Sequence, residues 1–342
     1  MSSKHLEQRQ RLRLDTPLSL SSGAVLPSLE IAWRQWGELS PRRDNAVLVC
    51  PALTGDSDLS TWWPELLGPG QALDPERDFI LCADVLGGSG GSSGPQHLAP
   101  DGRPWGARFP DIAVRDMVKV QRLLLEQLGI DQLRLVIGGS LGGMQALEWV
   151  ASHSTQIGAA VVIAAGARQS AWARGFNHLQ RRALDQHNDI ELARMVAMLS
   201  YRHWDNLDDR FAVGSHDSTE QIEHWLDHHG RALACRFDPV SYRRLMTAMD
   251  QHDVGAGRDG WQNALANCNL PVQIIGIDSD LLYPPVQQRA VAEALPNAQL
   301  ALLEAPQGHD AFLIEQARVN QMVRDFRHSL TQSPNSLRAV GS

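Results

Sequence analysis

The stretch most able to do chemistry is Val136-Ile137-Gly138-Gly139-Ser140-Leu141-Gly142-Gly143-Met144, where Gly138-x-Ser140-x-Gly142 separates an apolar run from a segment with helical spacing. Small residues on both sides of a serine suit a tight strand-to-helix turn, because a Cβ there would collide with neighbouring backbone. Such a turn exposes the hydroxyl at a helix N-terminus as a nucleophile. Taken alone, the pattern fits a glycine-rich turn with an incidental serine equally well. A serine nucleophile needs a base, and the base needs an orienting carboxylate; on α/β sheets with this turn they follow in the order Ser, Asp, His. Asp278-Ser279-Asp280 comes after the run Val272 to Ile277, and Gly308-His309-Asp310 comes after Leu300 to Leu303. Each sits just past the C-terminal end of an expected strand, where open α/β sheets build their sites. Asp278 is nearer its strand, while Asp280 is farther into the loop and freer to reach a histidine. Both therefore stand as the acid at this point. A loop aspartate or a capping histidine is the plainer reading of each residue separately, and the ordered triplet after three strands outweighs it. Acyl transfer also needs backbone donors for an oxyanion. The amide of Leu141, next to the serine, is one candidate, and the amide of Leu53 in the loop Pro51 to Asp56 is the other.

The elements that must position these groups are legible as a rhythm. Ala46–Cys50, Phe79–Cys82, Leu133–Ile137, Ala160–Ile163 and Val272–Gly276 are continuous apolar runs, as expected of strands buried on both faces. Ile112–Leu128 and Gly142–His153 carry helical spacing between them, so the class is α/β with a mostly parallel sheet. Leu12–Trp36, broken at Ser21-Ser22-Gly23, reads as an antiparallel meander at the sheet edge. From about Arg168 to Asp259 there is no buried-strand signal, only helical stretches such as Ile190–His203 and Thr219–Leu233. The expected organisation is a core over 1–167, a helical insertion over 168–260, and the rest of the core over 261–342. A final helix near Ile314–Leu330 precedes a polar tail, Thr331–Ser342, expected to be loose.

Composition narrows the function. The 342 residues carry 31 basic and 39 acidic side chains, a formal charge of -8, which offers no reason to expect nucleic acid or an anionic membrane as partner. The start, MSSKHLEQRQRLRL, lacks the apolar run of a secretory signal, and no long uncharged apolar stretch follows, so a cytoplasmic location is expected. Cys50, Cys82, Cys235 and Cys268 are scattered without a CxxC pair and read as small buried thiols. His224, His228 and His229 have a helical metal-pair spacing but no HExxH glutamate, so no metal is expected. The loop Leu86 to Pro95 lacks the Lys-Ser/Thr ending of a phosphate loop and reads as a loop lining the site.

At this point the chain resembles one branch of the α/β-hydrolase fold, the homoserine O-acyltransferases of methionine biosynthesis. The resemblance runs through Ala52-Leu53-Thr54-Gly55-Asp56, Leu66 to Gly70, Val85 to Pro95, Arg115 to Val118, Gly138 to Trp149, Arg236-Phe237-Asp238, His252-Asp253-Val254 and Gly308 to Leu313. Gly-Gly-Ser-x-Gly-Gly-Met-Gln-Ala-Leu-Glu-Trp is far more specific than GxSxG. The resemblance implies Asp280 as the acid beside Ser140 and His309. It implies that Arg194 holds the substrate carboxylate, that Tyr201 lines the pocket, and that Asp310 meets the amino group. It further implies an acyl-CoA co-substrate with no permanently bound cofactor, L-homoserine as acceptor, a ping-pong acyl-serine mechanism, and a homodimer through the helical insertion acting as a lid. Succinyl-using members carry an arginine two residues after the triad aspartate; here Leu282 stands there, which suits acetyl-CoA. Pro51 replaces the usual histidine before Ala-Leu-Thr-Gly, and Ser89-Gly90 replace a Cys-Tyr pair. The alternatives are a succinyl donor or a serine acceptor on the same triad, and, farther off, an esterase-type hydrolase.

Overall fold

The apolar runs form strands whose alternate residues feed two cores. In the computed structural model, which describes residues 8–211 and 218–332, the strands are β1 (Gln10–Leu14), β2 (Leu18–Ser19), β3 (Val25–Leu26), β4 (Leu29–Trp36), β5 (Ala46–Cys50), β6 (Phe79–Ala83), β7 (Leu135–Gly139), β8 (Ala160–Ile163), β9 (Val272–Ile277) and β10 (Ala298–Leu303). Eight of them make one sheet in the order β1-β4-β6-β5-β7-β8-β9-β10. All neighbours from β6 to β10 are parallel, and β4 runs antiparallel to both β1 and β6 at the edge. Leu48, Val136, Val162 and Ile274 pack on one face, while Val47, Ile137, Val161 and Ile275 pack on the other. This is the period-two pattern of a sheet covered by helices on both sides.

The helices are α1 (Leu59–Trp62), α2 (Val114–Gln127), α3 (Leu141–His153), α4 (Ala171–His187), α5 (Ile190–Tyr201), α6 (Trp204–Phe211), α7 (Ser218–Ala234), α8 (Pro239–Asp250), α9 (Trp261–Ala266), α10 (Pro285–Ala294), α11 (Ala311–Ile314) and α12 (Gln316–Gln332). Strand β7 starts two residues later than its apolar run suggests, because pairing sets Gly138 opposite Cys50 of β5 and Val162 of β8. Leu133 makes only an isolated bridge to Ile157. The shift leaves a single residue, Ser140, between strand and helix. At the other edge the meander is divided: β2 and β3 form their own two-stranded sheet, since Ser21 turns away to donate from its amide and hydroxyl to Asp116 of α2 at 2.9 and 2.7 Å. The last helix breaks at Glu315 and continues through Thr331 and Gln332; the remainder of the expected tail lies outside the described residues.

Between β8 and β9 every named element is a helix, from α4 to α9. Side-chain oxygens of Ser170, Asp189 and Asp238 accept from the first turns of α4, α5 and α8, which is why each helix starts where it does. The two ends of the helical segment are zipped side by side. Gln169 N–H donates to the His252 carbonyl and Val254 N–H to the Ala167 carbonyl, both at 2.9 Å. His252 is buried with its Nε2 at 3.1 Å from the Gly166 carbonyl, and burial pushes its pKa down to about 4. It is thus a neutral donor that closes the zip. Cys50, Cys82 and Cys268 are buried thiols as expected, but Cys235 is exposed, because α7 has reached its C-terminal end there.

Candidate active site

Ser140 stands at φ 56° and ψ -121°, a conformation that L-residues avoid at a cost of roughly 1–3 kcal/mol. The fold holds it there through the Ser140 N–H, which donates to the Ile163 carbonyl at 2.9 Å. The flanking glycines are needed for close approach. A Cβ on Gly142 would lie 2.1 Å from the Cys50 carbonyl oxygen, and one on Gly138 would lie 2.4 Å from Gly142 backbone. Helix α3 can therefore close onto the end of β5 and bring the serine up beside the loop that starts at Pro51.

The Ser140 hydroxyl lies 2.9 Å from His309 Nε2, and His309 Nδ1 lies 2.8 Å from Asp280 Oδ2. All three are buried, with Ser140 the most open at 7%. The other oxygen of Asp280 accepts from the amides of Leu282 and Tyr283 at 2.8 and 2.9 Å. Asp278, the rival acid, accepts instead from the Ala305 amide at 2.8 Å. Ser279 donates to the Ala305 carbonyl and accepts from the Gly308 N–H, so the loop bearing the acid also anchors the loop bearing the base. Burial pushes the His309 imidazolium towards neutrality, but the charge of Asp280, its hydrogen bond and then the charge of Asp310 outweigh burial, and the pKa rises above the ordinary histidine value. Rings of Tyr201, Tyr283 and Phe312 stand 5.5, 5.3 and 5.7 Å from the imidazole and keep bulk water from it.

The two expected oxyanion donors are available. Among the described residues, neither the Leu141 amide, at the start of α3, nor the Leu53 amide donates to a protein acceptor. Leu53 sits in the turn closed by the Gly55 N–H on the Ala52 carbonyl at 3.0 Å. Gln145 ties the two loops together, which sequence reasoning missed. Its amide donates to the Pro51 carbonyl at 3.0 Å and to the Leu141 carbonyl at 3.2 Å, and it is held by Gln121, which also takes the Trp149 indole N–H. A glutamine on the otherwise apolar first two turns of α3 was the available signal. Arg236 was missed as well: its guanidinium donates to the Thr54 carbonyl at 2.7 Å, tying the helical segment to this loop.

Arg194 and Tyr201 lie two helical turns apart on one face of α5, with the guanidinium 5.5 Å over the Tyr201 ring. The Tyr242 hydroxyl nearby donates to Gln180 Oε1 at 2.7 Å, and Arg194 has no ion-pair partner among the described residues. Asp310 is paired with Arg202 at 3.3 Å. Leu282 is 6% exposed and joins the main apolar cluster beneath the acid loop. The loop Leu86 to Pro95 bridges sheet and helices: Ser92 and Ser93 accept from Ala32 and Glu30 amides of β4, and Ser89 accepts from Asp238 ahead of α8. His229 packs on the Trp225 ring and on His228, and among the described residues no three potential metal ligands gather.

Gly308 locks the base to α5. It sits at φ +76°, and a Cβ there would lie 2.6 Å from the His203 nitrogen, 2.8 Å from the Arg202 carbonyl carbon and 2.9 Å from the Tyr201 oxygen. Only backbone lies in the way, so nothing can step aside cheaply. Gly308→Ala is expected to destabilise the fold by about 2 kcal/mol or more and to lower activity at least about ten-fold by displacing His309. Thermal unfolding alongside steady-state rates checks this; an unchanged pair of values would mean that the α5 contact is not rigid.

Comparison with known proteins agrees with this geometry. The alpha/beta hydrolase fold family matches residues 45–316. A homoserine O-acetyltransferase of Trichormus variabilis is 42% identical, covering 95% of this chain and 95% of its own length, and one of Chlorobaculum tepidum is 42% identical over 94% and 95%. Among solved structures, a homoserine O-acetyltransferase from Staphylococcus aureus superposes with a TM-score of 0.81 at 29% identity, over 93% of this chain and 94% of that one. An acetylester hydrolase from Corynebacterium glutamicum superposes at 0.79 with 21% identity over 93% and 95%, a likeness of fold. With a nucleophile elbow, an ordered Ser-Asp-His line and full-length identity of this order, the chain belongs to the alpha/beta hydrolase fold family and, within it, to the homoserine O-acetyltransferases.

Proposed function

We propose that this chain moves an acetyl group from acetyl-CoA to the hydroxyl of L-homoserine by a ping-pong route through an acetyl-serine, giving O-acetyl-L-homoserine for methionine biosynthesis. His309 Nε2 takes the Ser140 proton as Oγ attacks the thioester carbonyl, and the Leu53 and Leu141 amides stabilise the oxyanion. The carbon–sulfur bond breaks and the thiol of CoA leaves with that proton. The homoserine hydroxyl then gives its proton to the same nitrogen, attacks the acetyl-serine, and departs as the ester while Ser140 regains its proton. Acetyl-CoA is a co-substrate here, and no resident cofactor or metal takes part.

The observation that favours an amino-acid acceptor over water is Arg194, a half-buried guanidinium without an ion-pair partner among the described residues, on the helix that flanks His309. A planar fork of that kind suits a carboxylate bound in two-point fashion. Asp310 would take the ammonium of the same molecule and Tyr201 would line its pocket. The helices over 168–260 act as the lid that keeps water from the acetyl-serine, on the core formed by 1–167 and 261–342. Leu282, in place of a cation, favours acetyl over succinyl.

The test is a matrix of acetyl-CoA or succinyl-CoA against L-homoserine or L-serine, following thiol release and weighing the ester formed. Acetyl-CoA with homoserine should dominate. Thiol release at full rate without any acceptor would identify a hydrolase instead, and a succinyl or serine preference would move the specificity argument from Leu282 to Pro51, Ser89 and Gly90.

We also read the protein as a cytoplasmic homodimer. No helix among the described residues is long and apolar enough to cross a membrane. Trp172 and Leu179 of α4, and Leu192 and Leu199 of α5, are exposed at seven-residue spacing on two helices that pack side by side. Adjacent apolar stripes of this kind mark an association surface. Leu199→Glu is expected to give monomers in light scattering; a variant that stays dimeric would place the interface elsewhere.

A further inference from the structure

A second carboxylate stands beside the catalytic imidazole, and it is not left uncompensated. Asp310 follows His309 directly, and its Oδ2 lies 3.3 Å from the Nε of Arg202, with both side chains largely buried at 14% and 11% exposure. Arg202 is the first residue beyond α5, next to Tyr201, whose ring packs on His309. Contact between Gly308 and the backbone of 201–203 fixes the two turns against each other. The guanidinium also lies over the Trp225 ring of α7, 5.7 Å from its centroid. Arg202 Nε makes no hydrogen bond, so the pair is an electrostatic contact rather than a closed fork. The Asp310 carboxylate keeps its hydrogen-bonding capacity.

The groups facing His309 are Ser140 from the elbow, Asp280 from the loop after β9, Tyr283 ahead of α10, Tyr201 from α5, Phe312 of α11, and Asp310 on its own turn. Only one of the two carboxylates serves the proton relay. Asp280 orients the ring, whereas the charge of Asp310 merely favours the imidazolium, the form that cannot accept the serine proton. We propose that Arg202 is a positioning residue: paired with Asp310, it offsets part of that carboxylate's charge toward His309 and so keeps the imidazole available as a base. This inference rests on reading Ser140, His309 and Asp280 as the acyl-transfer triad.

The test reads acetylation of Ser140 by p-nitrophenyl acetate across pH, with the His309 imidazole titrated in parallel by NMR. Neither readout depends on the CoA or homoserine assignment, so failure of the substrate matrix and failure of this inference are separate results. In Arg202→Met the acid limb should move up by about one pH unit, leaving acetylation about ten-fold slow near about pH 6 and close to wild type near about pH 9. Arg202→Lys should restore the limb. Asp310→Asn, which removes the carboxylate charge beside the imidazole, should move it down, and the double variant Arg202→Met/Asp310→Asn should not move it up. A limb unmoved in Arg202→Met, or a loss equal at both pH values, overturns the proposal, because a purely structural arginine would lower the rate without recovery in base. Should Arg202→Met not fold, Arg202→Lys and Asp310→Asn still decide, since an unmoved His309 titration in Asp310→Asn removes the coupling.

Discussion

Ser140→Ala should lower acetyl transfer by about 10^4- to 10^6-fold while leaving the fold intact. Among the described residues the only bond removed is the 2.9 Å contact to His309, and the backbone bonds that hold the elbow, from the Ser140 amide to Ile163 and from Met144 to the Ser140 carbonyl, do not involve the hydroxyl. Alanine inherits the same φ of 56°, so the strain is unchanged and stability should stay within about 1 kcal/mol. Two measurements check it: CoA release, and the mass of enzyme quenched after mixing with acetyl-CoA. Wild type should gain one acetyl group and the variant none. A variant keeping a tenth of the activity would mean that the attacking atom is not Oγ of Ser140.

Asp280→Asn should cost about 10^4-fold in kcat, although it changes one atom. The Leu282 and Tyr283 amides both donate to Oδ1, so the asparagine oxygen is held at that position. Its NH2 group is then left facing His309 Nδ1, where the native carboxylate oxygen accepts. That nitrogen must now accept rather than donate, the proton moves to Nε2, and Nε2 can no longer take the serine proton. The pH profile should shift too. With the charge and hydrogen bond of Asp280 gone, the two largest influences that raise the His309 pKa against burial are lost, so the residual activity should have its acid limb at lower pH than wild type. Asp278→Asn is the control: that side chain serves the Ala305 amide and should change kcat only a few-fold. Comparable losses in both variants would show that the acid loop acts as a unit and not through Asp280.

The two predictions turn on different kinds of information. The candidate nucleophile was legible because its constraint is local: a serine flanked by Gly138 and Gly142, between a buried strand and a helix, has few other uses. The strand ends that carry Asp280 and His309 were legible because strands covered on both faces must be apolar throughout, and open sheets place sites at their C-terminal ends. Periodicity placed β5, β8 and β9 almost to the residue, but missed the start of β7 by two, since register is set by the neighbouring strands.

What the sequence by itself determined is the class of sheet, the helical segment between β8 and β9, and the order Ser-Asp-His along the chain, because each follows from spacing and side-chain type alone. It left Asp278 and Asp280 open on those grounds, and the choice between them fell to a resemblance. The geometric reason for that choice is visible only in three dimensions. Two aspartates two residues apart in one loop differ by whether they face the Ala305 amide or the imidazole, and that depends on how β10 lies against β9. The same holds for Arg202 and Gln145. Nothing near either in sequence names Asp310 or the Pro51 carbonyl as its partner, since these contacts span 108 and 94 positions and arise only when α3 packs onto the finished sheet and α5 packs against the turn that bears His309.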